Sequence, residues 1–377
     1  MATASRNFVI RRVLHCIPNM LNGGAQRQLV LLAREQVRSG LEVHTALLHS
    51  GPHAERLESV GARLHWIGSG VNHDPRLLWR LVRLIRLVQP DVVQSWLTQM
   101  DVLAATATRL TGTPWVLSER SSGPFYRFSF KNLARAWLAR DADAVVANSA
   151  GGDDYWRTRL PAKVPRHVVS NGLSLSEIEG TQPVAPEAIG LAPGFKMVLH
   201  VGRLSPEKNI PVLVGALAAA SARVPMVAYL CGDGTHEADA RRLLARGGRT
   251  DNIRLLGYRP DVLSLMKRAD VLVSLSRFEG HPNGVLEAAA CGCPLVLSDI
   301  PAHREIASEE SALFVDGDSV HEVAAGIVRC LTEPDEAGRR AANACASVEK
   351  LSTAEMARRY AEVYRGVQDR RATRRAA

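Results

Sequence analysis

The chain has 377 residues, a length at which one hydrophobic core gives way to two. Hydrophobic residues make up 46% and charged residues 23%, which excludes a disordered chain and fits a globular one. The net charge of +9 points to anionic partners: nucleotide phosphates, anionic lipid head groups or nucleic acid. The six cysteines form no C-x-x-C pair and no zinc-spaced cluster with histidine, so they read as reduced packing residues of a cytoplasmic protein.

Residues 1–12 contain no long apolar stretch and no cleavage site, and no run of ~18 apolar residues follows anywhere. A strand is predicted at 13–17, then a loop ending in Gly23-Gly24, then a helix over 25–39 closed by Gly40. Further strands are predicted at 43–48, 91–94, 115–118 and 144–147. The pattern weakens over 174–195, where Gly180, Pro183, Pro186, Pro193 and Gly194 suggest an interdomain linker. It restarts with strands at 197–201, 226–230, 253–256, 271–275 and 294–298. Ser352 and Glu355 have capping-box spacing for a last helix. Alternation of this kind gives an α/β fold of two Rossmann-like domains with a ligand cleft beyond the strand ends. The expected division is 1–178, 195–350, and a C-terminal helix and basic tail, 351–377, packing back toward the first domain.

Three loops carry chemistry. The first is Asn22-Gly23-Gly24-Ala25-Gln26-Arg27, which is either an anion site at a helix start or a tight strand-to-helix turn. It is not the dinucleotide fingerprint, because G-x-G-x-x-G is absent. The second runs from His200 through Gly202, Arg203 and Lys208 to Asn209, placing two cations where a diphosphate could be neutralised. The third runs from Ser276 through Glu279, Asn283, Gly284 and Val285 to Glu287, after an apolar strand. Asn283 is placed to cap a helix whose amides receive a phosphate. Glu287, one turn on, can take two ribose hydroxyls, and Glu279 can hold sugar hydroxyls or face developing positive charge.

The stretch E-G-H-P-N-G-V-L-E at 279–287 and G-R-L-S-P-E-K-N at 202–209 resemble glycosyltransferase family 4, which has the GT-B fold. The resemblance extends from Gly23-Gly24 to the C-terminal helix. It implies a retaining transfer from a nucleotide-sugar, with UDP the favoured base, by front-face attack and without a carboxylate nucleophile. It implies that Gly202, Arg203 and Lys208 meet the diphosphate, with Gly24 brought over it. Glu287 would take the ribose, Glu279 the sugar, Asn283, Gly284 and Val285 phosphate or sugar through their backbone, and Tyr258 and Arg259 the base. Catalysis would rest on Arg203, Lys208 and Glu279. No metal and no cofactor is expected, and Asp141-Ala142-Asp143 reads as a helix-to-strand connection rather than a metal motif.

The sequence departs from the family where Gln94, Trp96 and Gln99 stand in place of frequent histidines. Trp96, Gln99, Glu119 and Arg120 are the candidates on the acceptor side, the last two in an S-E-R segment. Between 76 and 140 lie ten Lys/Arg against three Asp/Glu. Arginines 76, 80, 83 and 86 form one helical stripe, and 125–131 adds an aromatic and basic patch. The stripe suits an anionic membrane surface, or it is the solvated face of a helix packed on the sheet. The expected partners are thus a nucleotide-sugar, a lipid-linked or glycan acceptor and the inner face of a membrane. No nucleic-acid motif is present. Two other readings stay open: a sugar-nucleotide epimerase of the same architecture, and a non-catalytic sugar-nucleotide-binding protein.

Overall fold

Parallel strands covered on both faces carry near-continuous apolar runs, and the central strands of this chain do so. In the computed structural model, which describes residues 10–68, 70, 74–126, 129–245 and 251–376, they form two sheets. The first contains β1 (Arg12–Asn19), β2 (Glu42–His49), β3 (Arg63–Trp66), β4 (Val92–Trp96), β5 (Trp115–Glu119), β6 (Ala144–Ala147) and β7 (Arg166–Val168). Its order is β3-β2-β1-β4-β5-β6-β7, all parallel. The second contains β8 (Lys196–Val201), β9 (Met226–Cys231), β10 (Ile253–Gly257), β11 (Val271–Ser274), β12 (Leu295–Ser298) and β13 (Leu313–Val315). Its order is β10-β9-β8-β11-β12-β13, again parallel.

Two units result. One joins the described residues up to Gly172 with those from Leu351 onward, and the other is Leu173–Lys350. The boundary therefore differs from the predicted linker: residues 174–195 belong to the second unit. The Ile189 carbonyl accepts from Tyr229 Oη at 3.0 Å and from Arg254 Nη1 at 2.7 Å, and Val184 N donates to the Ser264 carbonyl at 3.1 Å. This proline-rich stretch, which holds a short helix at Leu175–Gly180 and a 3-10 turn at Pro186–Ile189, is here a packed strap, because its backbone groups find partners within the second unit.

The final helix, Thr353–Ala376, completes the first unit's core. Met356, Tyr360, Val363, Tyr364 and Val367 are all buried beside β1, β4 and β6 residues. Ser352 Oγ accepts from Glu355 N at 3.1 Å, which is the expected cap, while the Glu355 carboxylate pairs with Arg358. Arg371 grips Asp143 in a two-point ion pair, 2.7 Å to each oxygen, and Trp115 N donates to the same carboxylate. Asp143 is thereby a brace.

The arginine-striped helix is Arg76–Val88. It buries Leu77, Leu81, Val82, Leu84, Ile85 and Val88, and Arg80 donates to the Ile67 and Gly68 carbonyls. Of its two sequence readings, the sheet-packing one describes its apolar face.

Candidate active site

An open parallel sheet binds ligands where its strand order reverses, and the second sheet reverses between β8 and β11. The Arg203–Lys208 loop leaves β8 there, and the Glu279 loop leaves β11. Their meeting is built from the backbone. Asn209 takes φ 53°, a conformation asparagine tolerates better than most residues, and ends the short turn Pro206–Lys208. Its amide donates to the Gly317 carbonyl at 2.7 Å and to Asp318 Oδ1 at 2.8 Å. Arg277 N donates to the Glu207 carbonyl at 2.8 Å, which ties one loop to the other.

Lys208 Nζ and Glu279 Oε1 form an ion pair, and Ser276 Oγ donates to the same oxygen at 2.7 Å. Each side chain of the pair is 16% exposed, so it is shielded yet open to solvent at one edge. Burial alone would raise the Glu279 carboxyl. The charge of Lys208 and the bonds from Lys208 and Ser276 outweigh that and hold it below the ordinary range.

Behind the pair stands buried His200. Its Nδ1 lies 3.0 Å from the Val273 carbonyl and must donate to it, which fixes the neutral tautomer. Burial pushes this imidazole down to about 4. A Cβ on Gly202 would lie 3.6 Å from both His200 Nε2 and Lys208 Nζ, so Gly202 marks the floor of the same corner.

Two other glycines let strand ends approach closely. Gly232 has φ 140°, and a Cβ there would sit 1.9 Å from the Gly202 carbonyl oxygen. A Cβ on Gly284 would sit 3.0 Å from the Val201 carbonyl oxygen. Thus the helix Asn283–Ala290 starts directly on the β8 end, the geometry that offers amides and a positive helix terminus to an anion. Asn283 is the first helical residue and Pro282 occupies the cap position, correcting the predicted cap. Val285 is 2% exposed and its amide donates to the Pro282 carbonyl at 3.1 Å, so it does not present its backbone to a ligand here.

Glu287 lies on the buried side of this helix, 5% exposed. Arg203 is exposed, with Glu207 3.5 Å away. Tyr258, 41% exposed, follows β10. Arg259 is held by Asp261 through bonds of 2.7 and 2.5 Å. Ser276, Asn209 and His200 fall within the loops read from sequence but carry no role there, and only the strand-end position of those loops signals them. Among the described residues no cluster of histidine, cysteine and carboxylate groups could hold a metal ion.

The remaining candidates belong to the first unit. Gly24 is the exposed first residue of the helix Gly24–Arg38, and Gln99 is half-buried. Trp96 is fully buried; its indole donates to His15 Nδ1 at 3.2 Å. Glu119 is fully buried too, with donors from the Arg120 and Ser121 amides, Tyr126, Arg135 and Trp156. The structure moves both from the expected acceptor surface into the core, because their polar atoms are taken up internally. Arg120 donates to Asn171 Oδ1 at 2.5 Å and stands 5.0 Å over the Trp96 ring.

Residues 22–177 match Glycosyltransferase Family 4, and residues 195–333 match Glycosyl transferases group 1. The chain belongs to glycosyltransferase family 4. This glycosyltransferase is 27% identical over 239 residues to the GDP-mannose:cellobiosyl-diphosphopolyprenol alpha-mannosyltransferase of Xanthomonas campestris, covering 59% of this chain and 60% of that one. It is 26% identical over 258 residues to the UDP-Gal:alpha-D-GlcNAc-diphosphoundecaprenol alpha-1,3-galactosyltransferase of Escherichia coli, covering 63% and 65%. Its fold matches Anabaena HepE, crystallised with UDP and glucose, at a TM-score of 0.83 and 20% identity over 93% of this chain and 98% of that one. Two Rossmann-like units of the GT-B type are therefore the architecture of this enzyme.

Proposed function

We propose that this glycosyltransferase moves a hexose, with retention of configuration, from a nucleoside-diphosphate sugar to a lipid-linked or glycan acceptor at the inner face of a membrane. The observation that carries the reading is the Lys208–Glu279 pair at the strand reversal of the second unit. Lys208 and Arg203 supply two cations for the diphosphate, and their charge is worth most where the leaving phosphate gains charge. Glu279, ionised by Lys208, is set to accept hydroxyl hydrogen bonds from the sugar or to face positive charge at its anomeric carbon. Glu287 takes the ribose and Tyr258 borders the base. The backbone at Asn283 and Gly284 adds phosphate contacts.

In this mechanism the acceptor attacks on the face the nucleotide leaves, and the departing phosphate takes the acceptor proton. No carboxylate nucleophile is required, and the two cations carry the charge without a metal ion. The acceptor class is supported by the two diphosphopolyprenol-dependent relatives, and UDP by HepE and the galactosyltransferase. The mannosyltransferase relative, named for GDP-mannose, makes GDP the competing base.

Calorimetric titration with UDP, GDP and ADP, with and without chelator, tests the reading. One diphosphate should bind in chelator, and Glu287→Ala should weaken it about tenfold or more, the scale of charged ribose contacts. Unchanged affinity in that variant removes the ribose assignment, and binding that needs metal removes the metal-free mechanism.

A further inference from the structure

The helix Phe130–Leu138 is turned inside out. An ordinary surface helix buries its apolar stripe and solvates its charges. In this one the only buried residue is Arg135. Phe130 is 86% exposed, Leu133 50% and Trp137 61%, and Ala134 is exposed between them. At 100° per residue these four positions share one face, and Arg135 points away from it.

What holds the helix in this orientation is charge. Arg135 Nε donates to Asp101 Oδ2 at 2.6 Å and Nη1 to Glu119 Oε2 at 3.0 Å, and both carboxylates are fully buried. Its guanidinium also lies 4.9 Å from the Tyr126 ring centre and 4.8 Å from that of Trp156. A helix anchored by a sealed cation leaves its apolar face for something else, and a contiguous exposed apolar face marks an interaction surface.

The chemistry around the face selects the occupant. The helix contains no acidic residue. Lys131 and Arg140 are exposed beside it, and Arg109, 61% exposed, stands 6.0 Å over the Trp137 ring. Leu110, 59% exposed, and Phe125, 49% exposed, are exposed apolar residues on the flanking segments. Aromatic and aliphatic side chains ringed by cations suit the boundary of an anionic bilayer, where aromatics sit among the head groups and cations meet phosphate. The nearby carboxylate Asp141 is already paired with Arg109 at 3.4 Å. Residues 127 and 128 of the aromatic and basic patch lie outside the described residues.

We propose that this face of Phe130–Leu138, with Phe125, Leu110 and Arg109, is where the protein lies on an anionic lipid bilayer. The proposal rests on the reading of a membrane-peripheral enzyme and names the surface that reading lacks. The arginine-striped helix Arg76–Val88 commits Leu77, Leu81, Val82, Leu84, Ile85 and Val88 to the core and leaves only Trp79 and Leu87 as large apolar side chains at its surface.

Co-sedimentation of the full chain with phosphatidylglycerol vesicles, against phosphatidylcholine vesicles, tests it. Binding should be selective for the anionic lipid and weaken with salt. Phe130→Glu with Trp137→Glu should lower it at least tenfold, while Phe130→Leu with Trp137→Phe should keep it. All four substitutions are at exposed positions, and nucleotide titration of each variant checks the second unit independently. Equal vesicle binding by the glutamate variant overturns the proposal, as does no binding by the native chain. A lipid-free dimer dissociated by the glutamate variant also overturns it and assigns the face to a second copy. Failure of nucleotide binding in the native chain would sink the proposed function and leave the vesicle result to stand separately.

Discussion

The two units share a strand order but handle their charged clusters in opposite ways. In the first, Arg135, Asp101 and Glu119 are at most 1% exposed, and every carboxylate oxygen has a protein donor. In the second, Lys208 and Glu279 are 16% exposed at the strand ends, and the neighbouring Arg203 is open to water. A cluster sealed on all sides has spent its hydrogen bonds on the framework. A cluster open at one edge can exchange an internal partner for a ligand at modest cost, since both its states are partly solvated. The difference separates residues committed to the framework from residues that the proposed function assigns to the donor.

Mutations should separate them the same way. Arg135→Ala leaves two buried carboxylates without their cation and should cost about 3–5 kcal/mol, seen as a lowered urea midpoint. All six tryptophans, 66, 79, 96, 115, 137 and 156, lie in the first unit, so their emission reports that loss directly. Nucleotide affinity at saturating stability should not move. Lys208→Ala should do the reverse, lowering kcat by ~10²–10³-fold with an unchanged tryptophan midpoint. If Lys208→Ala melts the protein, or Arg135→Ala spares it, the contrast fails.

Acid should widen the contrast. Burial holds His15, His44 and His53 of the first unit, and His200 of the second, at about 4, against an ordinary value near 6.5. Each is neutral in the native state and takes up a proton on unfolding. Its stabilisation is therefore complete above about pH 6.5 and is lost as pH falls toward 4. For fully buried His15 and His200 the loss is on the order of 3 kcal/mol each. The first unit holds three of these four residues, so its tryptophan transition should fall sooner between pH 6.5 and 5 than activity-independent nucleotide binding does. The smallest effect expected is Ser352→Ala, about 1 kcal/mol from loss of the helix cap, confined to the first unit.

Much of this was legible in the sequence. The apolar runs of β1, β2, β4, β5 and β6, and of β8, β9, β11 and β12, announce themselves because both their faces are buried, while the edge strand β10 is read from Ile253, Leu255 and Leu256 although only Ile253 is buried. β3, β7 and β13 were missed. They are three or four residues long and only partly covered, with Arg63 and His65 in β3 and Arg166 and His167 in β7 interrupting the apolar signal. The Lys208 and Glu279 loops could be read because chemistry there resides in residue type at a strand end. Glu119 and Trp96 could not, since burial is decided by Arg135, Tyr126, Trp156 and His15, which are distant in sequence. The same limit applies to Phe130–Leu138. The sequence shows the aromatic and basic patch up to residue 131, but that Leu133 and Trp137 join Phe130 on an exposed face is decided by the buried Arg135.

The last helix gives the enzyme an unusual order of assembly. Because Thr353–Ala376 supplies Tyr360, Tyr364 and Val367 to the core begun by β1, the first unit to leave the ribosome is the last that can finish folding. The second unit is continuous and can close while its host still waits. Until then Gln94 and Gln36 both lack the Tyr364 hydroxyl that bonds them. A nascent chain stalled before residue 351 should therefore expose apolar surface from its oldest part, and a chaperone that samples it should let go only once Thr353–Ala376 has docked.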